Sequence, residues 1–535
     1  MDGWGRSVRV PSYYVSHHPL LLPRTALPRT EVVVSRRRRA VSPSPLRHAL
    51  LLGLIAVLAG AGVGTAILIP RVASQTGLPP VPPPLSAPPV PTAVPDGPAP
   101  RPLDDSFLAG DDDPVPTTPR TVEVANSGAL TDALETVRGG TTLVLADGTY
   151  DGDFTVRGVN AAPEAPVVVR AANAGKAIIG SGSALVVRSS AHVVVAGLTF
   201  KSGASTLLKL DSSNNVRVTH NTFDRGGPGE DSSKWLYIGG ADSHHNRVDH
   251  NTFQNKTDPG NYLTLDGSET QVSQHDRIDH NRFAKIGPRA KNEKEAVRLG
   301  WSDISMSSGF TVFEYNLLEE CNGDPEVVSV KASDMTVRYN TVRRSQGVLS
   351  LRHGDRNSLY GNVVLGEGRP GTGGIRIYGA DNRVFNNYVA GTTGSGYDSA
   401  LSIDGGDARP GGELNKHHRV DNAVVVFNTL VDNATGIVIG GNYPEPPVDL
   451  VVENNLLADS GDVRQVTAPD GGSLANNTVG TKAAVGLTDS GQAWKLAASS
   501  PEIDKAVGQF DFVTTDFEGR PRTGAKDVGA DEHDG

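Results

Sequence analysis

From Val216 onward, apolar and polar positions alternate in short runs, and the runs repeat. Val216-Arg217-Val218-Thr219-His220-Asn221-Thr222-Phe223 is followed by Val248-Asp249-His250-Asn251-Thr252-Phe253 and by Ile278-Asp279-His280-Asn281-Arg282-Phe283. Looser copies end at Asn316, Asn340, Asn362, Asn387, Asn428, Asn455 and Asn477, giving intervals of 30, 30, 35, 24, 22, 25, 41, 27 and 22 residues. Alternating β-branched and polar residues predict strands. A fixed word with a minimum period near 22 and variable insertions predicts a solenoid whose loops grow on one side. Asparagine tolerates left-handed backbone at a sharp corner, and asparagines stacked on successive coils can bond one another in a ladder. His220, His250 and His280 belong to the repeated word, so they read as scaffold before they read as metal ligands. No long helical periodicity follows Val137, which argues against βαβ and leucine-rich-repeat folds. A propeller needs blades of about 40–45 residues with aromatic signatures that are missing here. The expected fold is all-β, a single-stranded right-handed parallel β-helix.

Upstream the pattern changes. Ser127 is placed to cap a helix from Gly128 to Val137, with Leu130, Ala133 and Leu134 on one face. Such a helix can cover the open end of a stack. Residues 71–120 are Pro-rich, favour extended polyproline conformation and are expected to act as a semi-rigid spacer ending near Asp111-Asp112-Asp113. Before them, Leu50 to Pro70 is uncharged and apolar, and roughly 20 residues at a helical rise span a bilayer core.

Charge sharpens this division. Residues 1–75 hold ten Arg and no Lys against Asp2 and Glu31, a net +8, so the remainder of the −10 chain carries −18. Arginines 36–39 and Arg47 crowd the N-terminal side of the apolar run, which keeps that side cytoplasmic and sends the rest out. The expected organisation is a basic cytoplasmic segment (1–48), a transmembrane helix or signal anchor (49–70), the linker (71–120) and a β-helix domain (121–535). Cleavage as a signal peptide, giving a secreted domain, is the alternative. The membrane is thus an expected partner and nucleic acid is not. Cys321 stands alone, so no intrachain disulfide forms.

One stretch, Asn292 to Gly354, concentrates chemistry. Residues one coil apart lie on adjacent strands, roughly 4.8 Å apart. Lys331 and Arg352 differ by 21, close to the shortest repeat, and are expected side by side. Asp324 and Glu326 share a face, and Asn292 precedes Asp324 by 32, one coil plus an insertion. Glu326 and Lys331 have opposite parity, so a corner or bulge must fall between them. Two carboxylates and an amide oxygen suit Ca²⁺, a hard ion with oxygen ligands. A lysine base, an arginine and such a cation suit β-elimination next to a uronate carboxylate. The competing reading is a solvated face with ordinary ion pairs.

The same stretch resembles polysaccharide lyase family 6, the alginate lyases and chondroitinase B. The likeness runs through Asp279-His280-Asn281-Arg282-Phe283, the Glu295–Gly300 block, Gly323-Asp324-Pro325-Glu326, Leu351-Arg352-His353-Gly354, Gly373-Gly374-Ile375-Arg376-Ile377 and Asn386-Asn387-Tyr388. It implies Lys331 as Brønsted base and Arg352 as acid. It further implies Asn292, Asp324 and Glu326 as calcium ligands, with Arg298, His353 and Arg376 binding sugar. Asp324 departs from the family's usual Glu. The implied substrate is an anionic uronate polysaccharide, alginate (poly-mannuronate) ahead of dermatan sulfate. A β-helix glycoside hydrolase, a C5-epimerase and a non-catalytic carbohydrate-binding surface protein are the rival readings.

Overall fold

The computed structural model describes residues 105–225 and 232–533. The expected basic segment and membrane helix, 1–70, and the linker before residue 105 lie outside them. Among the described residues no helix is long and apolar enough to cross a membrane.

Each coil contributes three short strands to three parallel sheets of 14, 12 and 13 strands, stacked coil on coil from Arg120–Val124 to Thr478–Gly480. This is the expected parallel β-helix. In one coil the chain runs through Arg277–Asp279 in the first sheet and turns at His280-Asn281 into Arg282–Ala284 in the third. It then crosses a loop to Val297–Gly300 in the second sheet. The inward positions are Val, Ile, Leu and a column of stacked rings, Phe200, Phe223, Phe253 and Phe283, at 4.7, 4.4 and 4.9 Å between centroids.

The repeated asparagines form the ladder. Asn281 Nδ2 and backbone N both donate to Asn316 Oδ1 at 3.0 Å, and Nδ2 also reaches the Val248 carbonyl. The same bonding runs from Asn221 to Asn477 in nine links. Each link satisfies buried polar groups at the tight corner that the sheets cannot reach. One detail differs from the expectation: the left-handed residue is the one before the ladder asparagine. His220, His250, His280, Tyr315 and Tyr339 have φ of 52–55°. Their rings project outward and stack, His220 on His250 on His280 at 5.1 Å, so the repeated histidines are structural.

Two boundaries move. The helix is Ser127–Thr136, and Asn126, not Ser127, caps it by accepting from Ala129 N at 3.0 Å. Ser127 Oγ instead accepts from Asp151 N. The end of the predicted spacer, residues 105–119, packs on the β-helix. Phe107 is buried among Tyr315, Leu317 and Tyr339, and Asp111 and Asp113 pair with Arg277 and Arg247 at 2.6 and 2.5 Å. The folded unit therefore begins before residue 121. An aromatic anchor and carboxylates facing the half-buried arginine row hold the strap down.

Candidate active site

The second sheet carries the site. Its strand Glu326–Lys331 pairs with Gly347–His353, and the register shifts twice, between Glu326 and Val328 and between Val330 and Lys331. Val327 and Val328 are both buried in the core. That inserted residue restores one outer face for Glu326, Ser329 and Lys331, which resolves the parity conflict read in the sequence. The second shift changes a predicted neighbour. Lys331 stands opposite His353, and Arg352 falls in the irregularity instead of directly opposite. On its other side Lys331 faces Gly300, whose φ is +84° and where a Cβ would meet the Lys331 carbonyl oxygen at 2.5 Å. Only a glycine fits that rung, so bare backbone flanks the lysine.

Glu326 is the hub. Arg376 Nη2 donates to its Oε1, Ser350 Oγ donates to the same oxygen at 3.2 Å, Ser329 Oγ donates to Oε2, and Arg352 Nε lies 3.5 Å from Oε1. Burial alone would raise the Glu326 carboxyl, but Arg376, Lys331 and Arg352 outweigh it and hold it at about 2. Lys331 Nζ donates to Glu295 Oε1 at 3.0 Å, and Asn261 Nδ2 donates to Glu295 Oε2 at 2.8 Å. Arg298 stands opposite Ser329 on the same face and is tied to Asp266 at 2.8 Å. His353 is buried with neither ring nitrogen hydrogen-bonded, and burial followed by the charges of Arg352 and Lys331 pushes it down to about 3. It is a neutral ring at any ordinary pH. Arg352 Nη1 and Arg376 Nε are likewise buried without partners, so the site holds donors with capacity to spare.

Toward the C-terminal coils an aromatic wall closes the site. Tyr378 lies under the guanidinium groups of Arg376 and Arg352 at 5.7 and 5.9 Å and donates to Asp404 at 2.6 Å. His417 packs 4.6 Å from Tyr378 and 4.3 Å from Tyr443, and Tyr397 covers Arg376 at 5.4 Å. His417 comes from the insertion behind the 41-residue interval, so that longer coil has a purpose at the site.

A sequence profile of the chondroitinase B family matches residues 124–495. The chain belongs to that family, polysaccharide lyase family 6. A variant of the family 6 alginate lyase AlyGC is similar at 26% identity with a TM-score of 0.63, over 71% of this chain and 55% of that one. A mannuronic acid specific family 6 lyase from human gut microbiota gives 24% and 0.56, over 66% and 82%. A family 6 polysaccharide lyase from Pseudopedobacter saltans gives 20% and 0.60, over 77% and 100%. The last two speak for the fold alone. This chain spans about 55% of the length of the AlyGC protein. No curated protein matches it in sequence.

Within this family 6 site, the structure gathers Lys331, Arg352, His353, Arg376, Asp324 and Glu326, and Asn292 is exposed in its loop two residues before Lys294, whose backbone N reaches Asp324. Glu295, three residues after Asn292, is the acid that faces Asp324 and Lys331. Sequence reasoning passed over it, although it opens the block quoted above. Asp324 Oδ1 accepts from Glu326 N and Oδ2 from Lys294 N. Burial, then the charges of Glu295 and Glu326, push Asp324 up to about 7. A carboxylate raised by its neighbours' charge lacks a countercharge, and oxygen-only donors supply the chemistry a hard cation takes. Asp324, Glu326 and Glu295 therefore fit calcium by donor type, while Arg376, Arg352 and Lys331 already neutralise Glu326 and Lys331 pairs with Glu295. A tighter acidic trio, Asp516, Glu518 and Asp531, is already filled by Arg520, which pairs with Asp516 and Asp531 at 2.6 and 2.5 Å.

Proposed function

We propose that the protein is a lyase that cleaves an anionic uronate polysaccharide by β-elimination, with poly-mannuronate alginate as the preferred substrate and dermatan sulfate as the alternative. The observation that carries this reading is the convergence of Lys331, Arg352, His353 and Arg376 around Glu326 at the two register shifts. Lys331 Nζ, in the form that has given up its own proton, takes the proton from the carbon next to the uronate carboxylate. The C–H electrons form the new double bond, the glycosidic C–O bond breaks, and Arg352 supplies a proton to the departing oxygen. Arg376, stacked on Tyr378, and neutral His353 orient the sugar. Asp324, Glu326 and Glu295 are the residues that would hold a calcium ion, and such an ion would supply positive charge to neutralise the substrate carboxylate. The names of the similar alginate lyases favour alginate.

A hydrolase reading needs a carboxyl that stays protonated near neutral pH to act as general acid. Glu326, held at about 2 by three cations, cannot serve, which leaves Asp324, pushed up to about 7, as the carboxyl that reading would have to use. We also propose that the domain works outside the cell, tethered through residues 49–70 or released if that segment is cleaved.

The test is product analysis on defined mannuronate and guluronate blocks, dermatan sulfate and pectate, each with and without chelator. Ultraviolet-absorbing unsaturated ends are expected from mannuronate blocks, and Lys331→Ala should lower kcat/KM by about 10²–10⁴, the usual worth of a positioned base. Absence of unsaturated product from every polymer, or full activity in Lys331→Ala, would sink the proposal.

A further inference from the structure

The outer face of the second sheet does not stop at the catalytic residues. Toward the N-terminal coils, Arg298 stands in one register column with Thr264, Tyr237 and Lys209. The neighbouring column runs through Asp211, Arg188 and Arg157. Lys209 and Lys234 hold their ammonium groups 5.4 and 5.2 Å from the Tyr237 ring centre. The ring lies along its own strand because position 239 is glycine, where a Cβ would meet the Tyr237 hydroxyl at 2.7 Å. Tyr237, Lys209 and Lys234 are all partly exposed.

Counting charges shows what this row is for. Arg188 and Lys209 share Asp211 at 2.7 and 3.4 Å, and Arg298 and Lys234 share Asp266 at 2.8 and 3.5 Å. Four cations against two carboxylates leave two positive charges, and at the far end Arg157 shares the outer face of its strand with Asp153. This occurs within a region of strongly negative net charge. A fold seeking only stability has no use for cations in excess along one exposed sheet face, since exposed ion pairs contribute little. The row lies on the same sheet face as the catalytic residues, with the buried Thr264 between Arg298 and Tyr237. Three strand spacings separate the strand of Lys331 from that of Tyr237, and six separate it from that of Arg157, roughly 14 and 29 Å at about 4.8 Å per spacing. Cations beside a flat aromatic ring match a chain of acidic sugars, which offers a carboxylate on every residue and an apolar ring face for stacking.

We propose that Lys209, Lys234 and Tyr237, with Arg188 and Arg157 beyond them, form an accessory track that binds the part of a polyuronate chain lying N-terminal to the catalytic pair along the sheet. The proposal rests on the lyase reading, and it makes the enzyme one that grips long chains more tightly than short ones.

The experiment uses the full chain carrying Lys331→Ala, so that substrate is not turned over, and mannuronate oligomers of defined length titrated calorimetrically. An octamer should bind at least 10-fold more tightly than a trimer. Adding Lys209→Ala and Tyr237→Ala together should remove that gain while weakening the trimer less than 2-fold, and Tyr237→Phe should keep it. The track is overturned if the gain survives the double substitution, or if trimer and octamer weaken equally. It is equally overturned if octamer and trimer bind alike to the Lys331→Ala parent while the unsubstituted enzyme still cleaves alginate. If no oligomer binds the parent and no alginate is cleaved, the lyase reading falls with it.

Discussion

Arg376 is pinned inside the protein as much as it is offered to substrate, and removing it should reveal this. Its side chain and that of Glu326 are only 6% and 7% exposed. Arg376→Met keeps the stem and deletes the charge, leaving Glu326 buried with Arg352 at 3.5 Å and Lys331 as its remaining cations. The depression of Glu326 from 4.5 to about 2 is worth about 3 kcal/mol at roughly 1.4 kcal/mol per pH unit, and Arg376 is the largest favourable contributor. Breaking one member of a buried pair costs about 3–5 kcal/mol in general. With two cations left behind, a loss of about 2–3 kcal/mol is expected. Glu326→Gln together with Arg376→Met removes both charges and should recover most of it, a coupling of about 2 kcal/mol, within the range of contacting buried groups. Urea unfolding midpoints of the four proteins provide the cycle. A loss below about 1 kcal/mol for Arg376→Met alone, or a double variant less stable than either single one, would refute the account, because then Glu326 needs no partner. The double variant should remain inactive, which separates the stabilising role of the pair from the role proposed for it in turnover.

Two further outcomes follow from groups away from the site. Asp276 is buried in a polar ladder where it accepts from Asn246 N and Nδ2 at 2.8 and 3.0 Å, and burial pushes it up to about 6. Its folded value exceeds its unfolded one, so its contribution is fully present below pH 3.8 and is lost as pH rises through about 6. Asp276→Asn should therefore stabilise the protein more at pH 7.5 than at pH 4, by up to about 3 kcal/mol in thermal or urea midpoints, and an effect independent of pH would refute this. Phe107→Ala should release the strap over residues 105–119: limited proteolysis there should accelerate at least several-fold, with a destabilisation of about 3 kcal/mol at most for the strap, since exposed ion pairs alone hold little. Unchanged cleavage would show that the acidic contacts suffice.

What the sequence made legible was whatever repeats. The ladder asparagines recur every 22 residues or more, and a residue that must bond its own copy one coil away cannot vary without leaving buried groups unpaired, so Asn221 to Asn477 announce the fold. The residues proposed for catalysis were legible through resemblance, not through period, and the structure shows why the period failed. Arg352 sits at a register shift, so a count of 21 residues from Lys331 does not place it directly opposite, and the true neighbour is His353. The bulge at Val327 did leave a trace: two consecutive apolar residues, Val327 and Val328, where a half-buried strand should alternate. The parity conflict between Glu326 and Lys331 and that apolar doublet are the same fact seen from the two faces of one strand. Contacts that no period governs stayed hidden. Glu295 and His417 arrive on insertions of different lengths, and Phe107 reaches Tyr315 across some two hundred residues of chain. In a β-helix the coils carry the fold and the irregularities carry the chemistry. The places where the repeat breaks, at Val327, at Arg352 and in the loop before Glu295, are therefore where function should be sought in any chain built this way.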